Sequence, residues 1–160
     1  MPEWFEDESF WINFYPFMFS EERFAAAKEE VEKAIHLLDF KGSSVLDLCC
    51  GPGRHSLVLA EKGLTVTGVD RTDFLLEKAR AEAESRGLEI ERIQQDMREF
   101  VRPESFDLAL SMLTSFGYFE NKNEDKKVLE NIYVNLRKGG YCLIDEHPRI
   151  ERKCLGRSLC

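Results

Sequence analysis

The sequence predicts an α/β fold: an open, doubly wound and mostly parallel sheet with strand order 3-2-1-4-5 and helices on both faces. The first observation is an apolar run at residues 45–48 that ends on a turn with Gly51 and Gly53. The second is the alternation of strand-like and helix-like patterns up to residue 145, which is typical of βαβ units. The third is the continuous apolar stretch 106–113, which suits a strand buried on both faces. Right-handed crossovers between such units open a crevice between strands 1 and 4.

The first half of the chain is predicted to contain two helices and two strands. Ser20 is a good N-cap, and apolar residues recur at close to the helical period from there to Leu38. A turn at residues 40–42 leads into the first strand. After Gly53, apolar residues at helical spacing predict a second helix, and the following strand ends on an acid, Asp70.

The second half continues the alternation. Thr72 or Asp73 is expected to cap a long helix that Gly87 ends. The later predicted elements are strands at about 89–95 and at 106–113, a helix from Asn123 to the glycine pair 139–140, and a fifth strand at 141–145. We expect one domain over residues 1–146, in which residues 1–40 form an aromatic arm and a helix. Residues 147–160 show no strand or helix period and are expected to be an irregular basic tail.

The arm at residues 1–19 is unusually aromatic. Its rings are Trp4, Phe5, Phe10, Trp11, Phe14, Tyr15, Phe17 and Phe19. So much ring surface must be buried, either as a lid over the crevice or as cover for the core. Core cover is the favoured interpretation for most of these rings, and Trp11 and Tyr15 are the two expected to contact a ligand.

Composition narrows the function. The net charge of −8 disfavours nucleic acid as a partner, so a small molecule or a protein is expected instead. No basic leader and no apolar run of membrane length is present, which predicts a cytoplasmic protein that does not span a membrane. The five cysteines include no C-x-x-C pair, which predicts reduced thiols and no metal site.

Acids recur where three strands are predicted to end. Asp47 lies within the first strand, Asp70 ends the second and Asp96 follows the third. The sheet gathers these ends at one edge, where Asp70 could accept both hydroxyls of a ribose. A dinucleotide fits less well, because Ser56 replaces the third small residue of G-x-G-x-x-G and Asp47 would face a pyrophosphate. A cation with an amino acid tail and a ribose fits better, and S-adenosylmethionine has that shape.

Four segments together resemble the class I S-adenosylmethionine-dependent methyltransferases in order and spacing. They are Val45-Leu-Asp-Leu-Cys-Cys-Gly-Pro-Gly-Arg54, Val69-Asp70, Gln95-Asp96-Met97 and Leu136-Arg-Lys-Gly-Gly140. The resemblance covers about residues 20–146 and departs at Cys49, where the family has a glycine. It implies that the cofactor is held by Asp47, Cys49, Gly51, Gly53, Asp70, Arg71, Asp96, Met97, Ser111 and Met112.

Methyl transfer by in-line displacement depends mainly on placement of the acceptor. The expected acceptor is a nitrogen or oxygen of a small molecule, contacted by Trp11, Tyr15, Ser115 and Tyr118. No catalytic residue is assigned; Tyr118, Glu146 and His147 are the candidates for a base. A nucleophile formed by Cys50 and His55 is disfavoured, because no third group completes a triad.

The relatives that this sequence resembles continue past the fifth strand with a helix and two further strands. The sheet is therefore expected to lack its last strands, and the exposed edge of strand 5 could pair with a second copy or a partner chain. A cofactor-binding module, or a truncated methyltransferase with little catalysis, is the alternative function. An NAD-dependent oxidoreductase is a more distant one.

Overall fold

A computed structural model describes residues 3–113, 115–117, 119–146 and 149–153. A short 3-10 turn at Trp4–Glu6 comes first. The helices are α1 (Glu8–Met18), α2 (Glu21–Leu38), α3 (Arg54–Glu61), α4 (Asp73–Ser85) and α5 (Lys122–Asn135). The strands are β1 (Ser44–Leu48), β2 (Thr65–Asp70), β3 (Glu91–Gln94), β4 (Phe106–Ser111), β5 (Leu136–Glu146) and β6 (Arg149–Lys153).

Within the described residues the strands form one sheet of order β3-β2-β1-β4-β5-β6. The first five strands pair in parallel, so the predicted order 3-2-1-4-5 is confirmed. The carboxyl ends of β1, β2 and β4 consequently meet at one edge of the sheet. At that edge β4 stops at Ser111, before the predicted end, because Leu113 has a φ of +56° and turns the chain away.

Buried side chains form two layers, one on each face of the sheet. Val45 and Leu46 belong to different layers, as expected where successive side chains of a strand point to opposite faces. The first layer includes Ala27, Val31, Leu57, Leu59, Leu108 and Leu143. The second includes Leu46, Leu48, Phe106, Ala109, Val128 and Ile132. Helices α2 and α3 therefore cover one face and α5 covers the other, as the doubly wound fold requires.

The predicted start of α2 is confirmed, and the predicted end of α5 is wrong. Ser20 caps α2, since its Oγ accepts a hydrogen bond from the Arg23 amide. The glycine pair 139–140 does not end α5, which stops at Asn135 and continues directly into β5. The pair lies where the register with β4 shifts, and a Cβ on Gly140 would come within 3.2 Å of the Asp107 carbonyl. These glycines therefore allow an irregular strand to approach β4 closely.

The expectation of an irregular tail was wrong for residues 149–153. They form β6, an antiparallel partner of β5 in which Glu146 pairs with Arg149. Its sequence, Arg-Ile-Glu-Arg-Lys, is short and charged, which suits an edge strand. The edge of β5 on which a second copy or a partner chain was expected is thus paired within the chain. Residues 147–148 and 154–160 lie outside the described residues.

The expectation that most arm rings cover the core was also wrong. Helix α1 has no buried residue, and Phe17 is 77% exposed. Helices α2 to α5 already cover the two faces of the sheet, so the arm packs over the edge of the sheet. The rings of the arm contact one another, and those of Phe10 and Phe14 stack with their centroids 4.7 Å apart. Glu8 fixes α1 to α4 by accepting a hydrogen bond of 3.0 Å from the Phe74 amide. Within the part of the chain that the structure describes, no helix combines the length and apolar character needed to cross a membrane.

Candidate functional site

The loop after β1 is built from left-handed backbone. Gly51 and Gly53 have φ of +53° and +82°, and Cys49 has φ +61° despite its side chain. Gly53 is the N-cap of α3, and a Cβ there would lie 3.1 Å from the Cβ of Ala79. The two glycines therefore allow the turn and the close approach of α3 to α4.

Asp70, at the end of β2, holds this loop in place. Its Oδ2 accepts a hydrogen bond of 2.9 Å from the Gly51 amide, and its Oδ1 accepts one of 2.9 Å from the Thr72 amide. Burial raises the pKa of Asp70, although both amides favour the carboxylate. The carboxylate thus joins the loop after β1 to the start of α4.

Asp47, in β1, is almost fully buried behind the loop. The Ser56 hydroxyl donates a hydrogen bond of 2.5 Å to its Oδ2. Burial raises its pKa, and the nearby His55 and Arg54 side chains oppose that rise. Asp47 therefore fixes the first turn of α3 against β1.

Asp96 belongs to a network of charged side chains. Arg98 donates to both of its oxygens, at 2.9 Å and 2.7 Å, and the Arg71 guanidinium lies 3.8 Å away. Burial raises the pKa of Asp96, but the Arg98 hydrogen bonds outweigh burial and the pKa is lowered overall. Arg71 also donates to Glu6 of the arm at 2.9 Å, and Arg98 lies 3.5 Å from Glu124 of α5. The network thus connects the arm, the end of β2 and the start of α5.

Aromatic side chains of the arm cover the same edge of the sheet. The Phe5 ring packs edge-on against Phe119 at 5.7 Å and lies 5.6 Å from the Arg71 guanidinium. Trp11 is held by a hydrogen bond of 3.0 Å from its Nε1 to the Phe5 carbonyl. The arm is therefore fixed by both ring contacts and charged groups.

A second polar cluster lies between α2 and α3. His55 Nε2 is 2.6 Å from Glu30 Oε2, and Arg54 Nη2 is 3.4 Å from the same oxygen. Arg54 also donates to the Arg23 carbonyl. The His55 hydrogen bond lowers the pKa of Glu30 despite partial burial, and burial lowers the pKa of Arg54. Glu30 is therefore a carboxylate at neutral pH.

These groups surround one cavity of about 690 Å³. This volume is in the range of small-molecule sites. The described lining residues include Trp4, Phe5, Trp11, Phe19, Arg23, Glu30, Asp47, Cys49, Gly51, Arg54, His55, Asp70, Arg71, Asp96, Met97, Met112, Leu113 and Ser115. The cavity combines carboxylates, backbone of a glycine loop and aromatic rings at the carboxyl edge of a parallel sheet, where ligands of such folds bind.

Residues 45–140 match the model of a methyltransferase domain family. The match covers more than half of the chain. The chain belongs to the class I S-adenosylmethionine-dependent methyltransferases.

Individual relatives agree with this assignment. A Geobacillus sp. (strain WCH70) protein whose name places it among the methyltransferases is 31% identical over 144 residues, which are 89% of this chain and 57% of that protein. The glycine/sarcosine N-methyltransferase of Parasynechococcus marenigrum (strain WH8102) is 31% identical over 137 residues, 84% of this chain and 48% of that enzyme. The chain spans about half the length of the curated relatives it matches.

The fold of this methyltransferase domain also matches a solved structure. An S-adenosylmethionine-dependent methyltransferase from Clostridium acetobutylicum superposes with a TM-score of 0.71 at 21% identity, covering 85% of this chain and 55% of that one. At this identity the likeness concerns the fold, and it agrees with the strand order described above.

Most of the site residues expected from the sequence line the cavity. They are Trp11, Asp47, Cys49, Gly51, Asp70, Arg71, Asp96, Met97, Met112 and Ser115. Three others do not. Gly53 acts as the α3 N-cap, and Tyr15 packs against Phe74 with the Lys78 ammonium 5.4 Å from its ring. Ser111 is buried, and its Oγ has no hydrogen-bond partner among the described residues.

The candidates for a base are not placed by the structure. Tyr118 and His147 lie outside the described residues, and of Glu146 only the backbone, at the end of β5, is described. The disfavoured pairing of Cys50 and His55 is absent: His55 contacts Glu30, and burial raises the pKa of the Cys50 thiol well above its usual range. Among the residues with described positions, no group of three or more His, Cys, Asp or Glu side chains could hold a metal.

The cavity is also lined by Glu30, Arg23 and Arg54, which were not predicted as site residues from the sequence. One signal was present. Glu30 follows Ala27 by three residues and precedes Ala34 by four, so it lies on the apolar stripe of α2 that faces the core. A charged residue at such a position requires a partner, and His55 and Arg54 supply it.

Proposed function

We propose that this chain binds S-adenosylmethionine in the cavity and transfers its methyl group to a nitrogen or oxygen of a small molecule. The observation that supports this most is the position of Asp70. It lies at the end of β2, lines the cavity, and is joined by a 2.9 Å hydrogen bond to the glycine loop after β1. A carboxylate there can accept the two hydroxyls of a ribose while the loop approaches the ligand closely.

The other lining groups have complementary roles in this proposal. Asp96 accepts from the adenine amino group, the Met97 amide donates to an adenine ring nitrogen, and Arg71 flanks the adenine. Asp96 is bound by Arg98, but each carboxylate oxygen has two lone pairs and can accept a further donor. Cys49 and Gly51 lie against the methionine and ribose, and Asp47 orders the loop through Ser56.

S-adenosylmethionine supplies, when bound, a methyl group on a positively charged sulfur. The protein contributes placement. Holding two reactants in near-attack geometry is worth on the order of 7 to 11 kcal/mol. The loop after β1 and Met112 at the end of β4 position the reacting groups, and the aromatic arm excludes water from the cavity.

The proposal is tested by product formation. The purified chain is incubated with S-adenosylmethionine and a panel of amines, amino acids, phenols and alcohols, and S-adenosylhomocysteine is measured by mass spectrometry. We expect acceptor-dependent product with at least one amine or hydroxyl class. A reaction without acceptor is the control. A chain that binds neither S-adenosylmethionine nor S-adenosylhomocysteine would overturn the proposal.

A cofactor-binding module without efficient catalysis is the second candidate. It is favoured by the observation that Asp47, Asp70 and Asp96 all accept hydrogen bonds from the protein itself, so none of them is a free base. Binding of S-adenosylhomocysteine by a chain that forms no methylated product with any acceptor would support it.

A further inference from the structure

A second cavity lies beside the first and shares two of its lining residues. Its volume is about 390 Å³. The described residues that line it are Glu30, Lys33, Ala34, His36, Leu37, Met112 and Leu143. Glu30 and Met112 also line the first cavity. The two cavities therefore meet at a carboxylate from α2 and a thioether at the end of β4.

Glu30 is held at this junction by one of its two oxygens. Its Oε2 contacts His55 at 2.6 Å and Arg54 at 3.4 Å. Its Oε1 has no hydrogen-bond donor among the described residues. The carboxylate is thus fixed in position and still has an oxygen able to accept from a ligand.

We infer that the second cavity binds the methyl acceptor, and that the acceptor is an aliphatic amine whose nitrogen lies at Glu30 and Met112. The inference rests on the proposed function, because it assigns the first cavity to the cofactor. Met112 follows β4 and lines both cavities, so an acceptor in the second cavity reaches the methyl group from the β4 side.

Charge favours an amine over an alcohol. As the nitrogen lone pair forms the new N–C bond, the C–S bond breaks, its electron pair stays on sulfur as the thioether, and positive charge moves from sulfur to nitrogen. A fixed carboxylate beside the nitrogen stabilises this developing charge. The acceptor reacts as the neutral amine, having lost its ammonium proton to water before it binds, and the methylated product leaves as the ammonium.

The lining of the second cavity favours an aliphatic body. Ala34, Leu37, Met112 and Leu143 contribute apolar surface. Lys33 also lines the cavity, but its ammonium is paired with Glu29 at 2.6 Å. The apolar part of the lining therefore suits a hydrocarbon chain, and each methylene buried there adds to the affinity.

The test uses n-alkylamines from propylamine to octylamine and the matched n-alkanols. Binding to the full chain saturated with S-adenosylhomocysteine is measured by calorimetry, and product is measured with S-adenosylmethionine. We expect amine affinity to rise about fourfold for each added methylene until the cavity is filled. We expect each alkanol to be methylated at least tenfold more slowly than its amine.

Two variants assign this behaviour to the cavity. Leu37→Trp fills the cavity from a half-exposed position. It should remove the rise in amine affinity with chain length and leave the Kd for S-adenosylhomocysteine within twofold of the wild-type value. Glu30→Gln should lower kcat for amines at least tenfold, and Glu22→Gln, an exposed α2 control, should not.

A chain that binds S-adenosylhomocysteine but shows no length dependence, or a length dependence that Leu37→Trp leaves intact, would overturn the inference and leave the proposed function standing. Failure to bind S-adenosylhomocysteine would overturn both.

Discussion

The Gly51 amide donates a 2.9 Å hydrogen bond to Asp70 Oδ2, and this contact joins the glycine loop after β1 to the end of β2. The loop depends on this anchor because three of its residues have positive φ, which is an unfavourable backbone conformation for Cys49. The same carboxylate also accepts from the Thr72 amide at the start of α4. One side chain therefore organises both sides of the proposed ribose site.

Gly53→Ala is predicted to destabilise the chain more than Gly63→Ala does. Both glycines have φ near +80°, but a Cβ at Gly53 lies 3.1 Å from Ala79 whereas one at Gly63 has no neighbour within 4 Å. The backbone conformation alone costs about 1 to 2 kcal/mol in each variant. Overpacking adds about 1 kcal/mol or more at Gly53. Urea denaturation of both variants measures the difference, and equal losses would show that α3 and α4 are not closely packed at this point.

Glu30→Gln is predicted to cost about 1 to 2 kcal/mol of unfolding free energy at pH 7, since it removes partly exposed contacts with His55 and Arg54. The pKa of Glu30 is lowered in the folded state, so its contribution is fully present above its unfolded value of 4.5 and is lost as pH falls through the folded pKa. Thermal unfolding of wild type and variant from pH 7 to pH 3 should therefore show a difference that shrinks below about pH 4.5. A difference that is constant with pH would contradict the lowered pKa.

Glu6→Gln is predicted to weaken binding of S-adenosylhomocysteine about threefold to tenfold. The substitution removes the charged contact between the arm and Arg71, which also lies beside the Phe5 ring. Because exposed ion pairs are screened by salt, the wild-type affinity should fall between 50 mM and 500 mM NaCl more than that of the variant. Glu99→Gln, at an exposed position outside this network, is the control. Equal affinities and equal salt dependence for Glu6→Gln and wild type would show that the arm does not hold the ligand.

The strand order and the acidic edge could be predicted from the sequence because they depend on local patterns. Strand-like patterns followed by Asp70 and by Asp96, and the turn at Gly51 and Gly53, indicate where parallel strands end and which residues meet there. The family motifs lie in the same segments. The sheet that the structure describes therefore agrees with the predicted one from β1 to β5.

The contacts of Glu30 and the course of the arm could not be predicted in the same way. His55 is 25 residues from Glu30 in the chain, and their contact depends on how α2 packs against α3. The aromatic residues of the arm predicted that ring surface is buried, but they did not predict where each ring packs. Trp11 lines the cavity, whereas Tyr15, four residues later, packs on α4. β6 has too few apolar residues for its pattern to predict a strand, and its position follows from the free edge of β5.

Calorimetric titration with S-adenosylhomocysteine of wild type, Asp70→Asn and Asp73→Asn tests the central proposal most directly. An Asn side chain has one amide group in place of a carboxylate oxygen, so it cannot accept from both the Gly51 and the Thr72 amides. Asp73, three residues along, is exposed and lies outside the cavity. We predict that wild type and Asp73→Asn bind with affinities within twofold of each other, and that Asp70→Asn, folded by circular dichroism at the same temperature, binds at least thirtyfold more weakly. A folded Asp70→Asn chain that binds as tightly as wild type would contradict the assignment of this cavity to the cofactor.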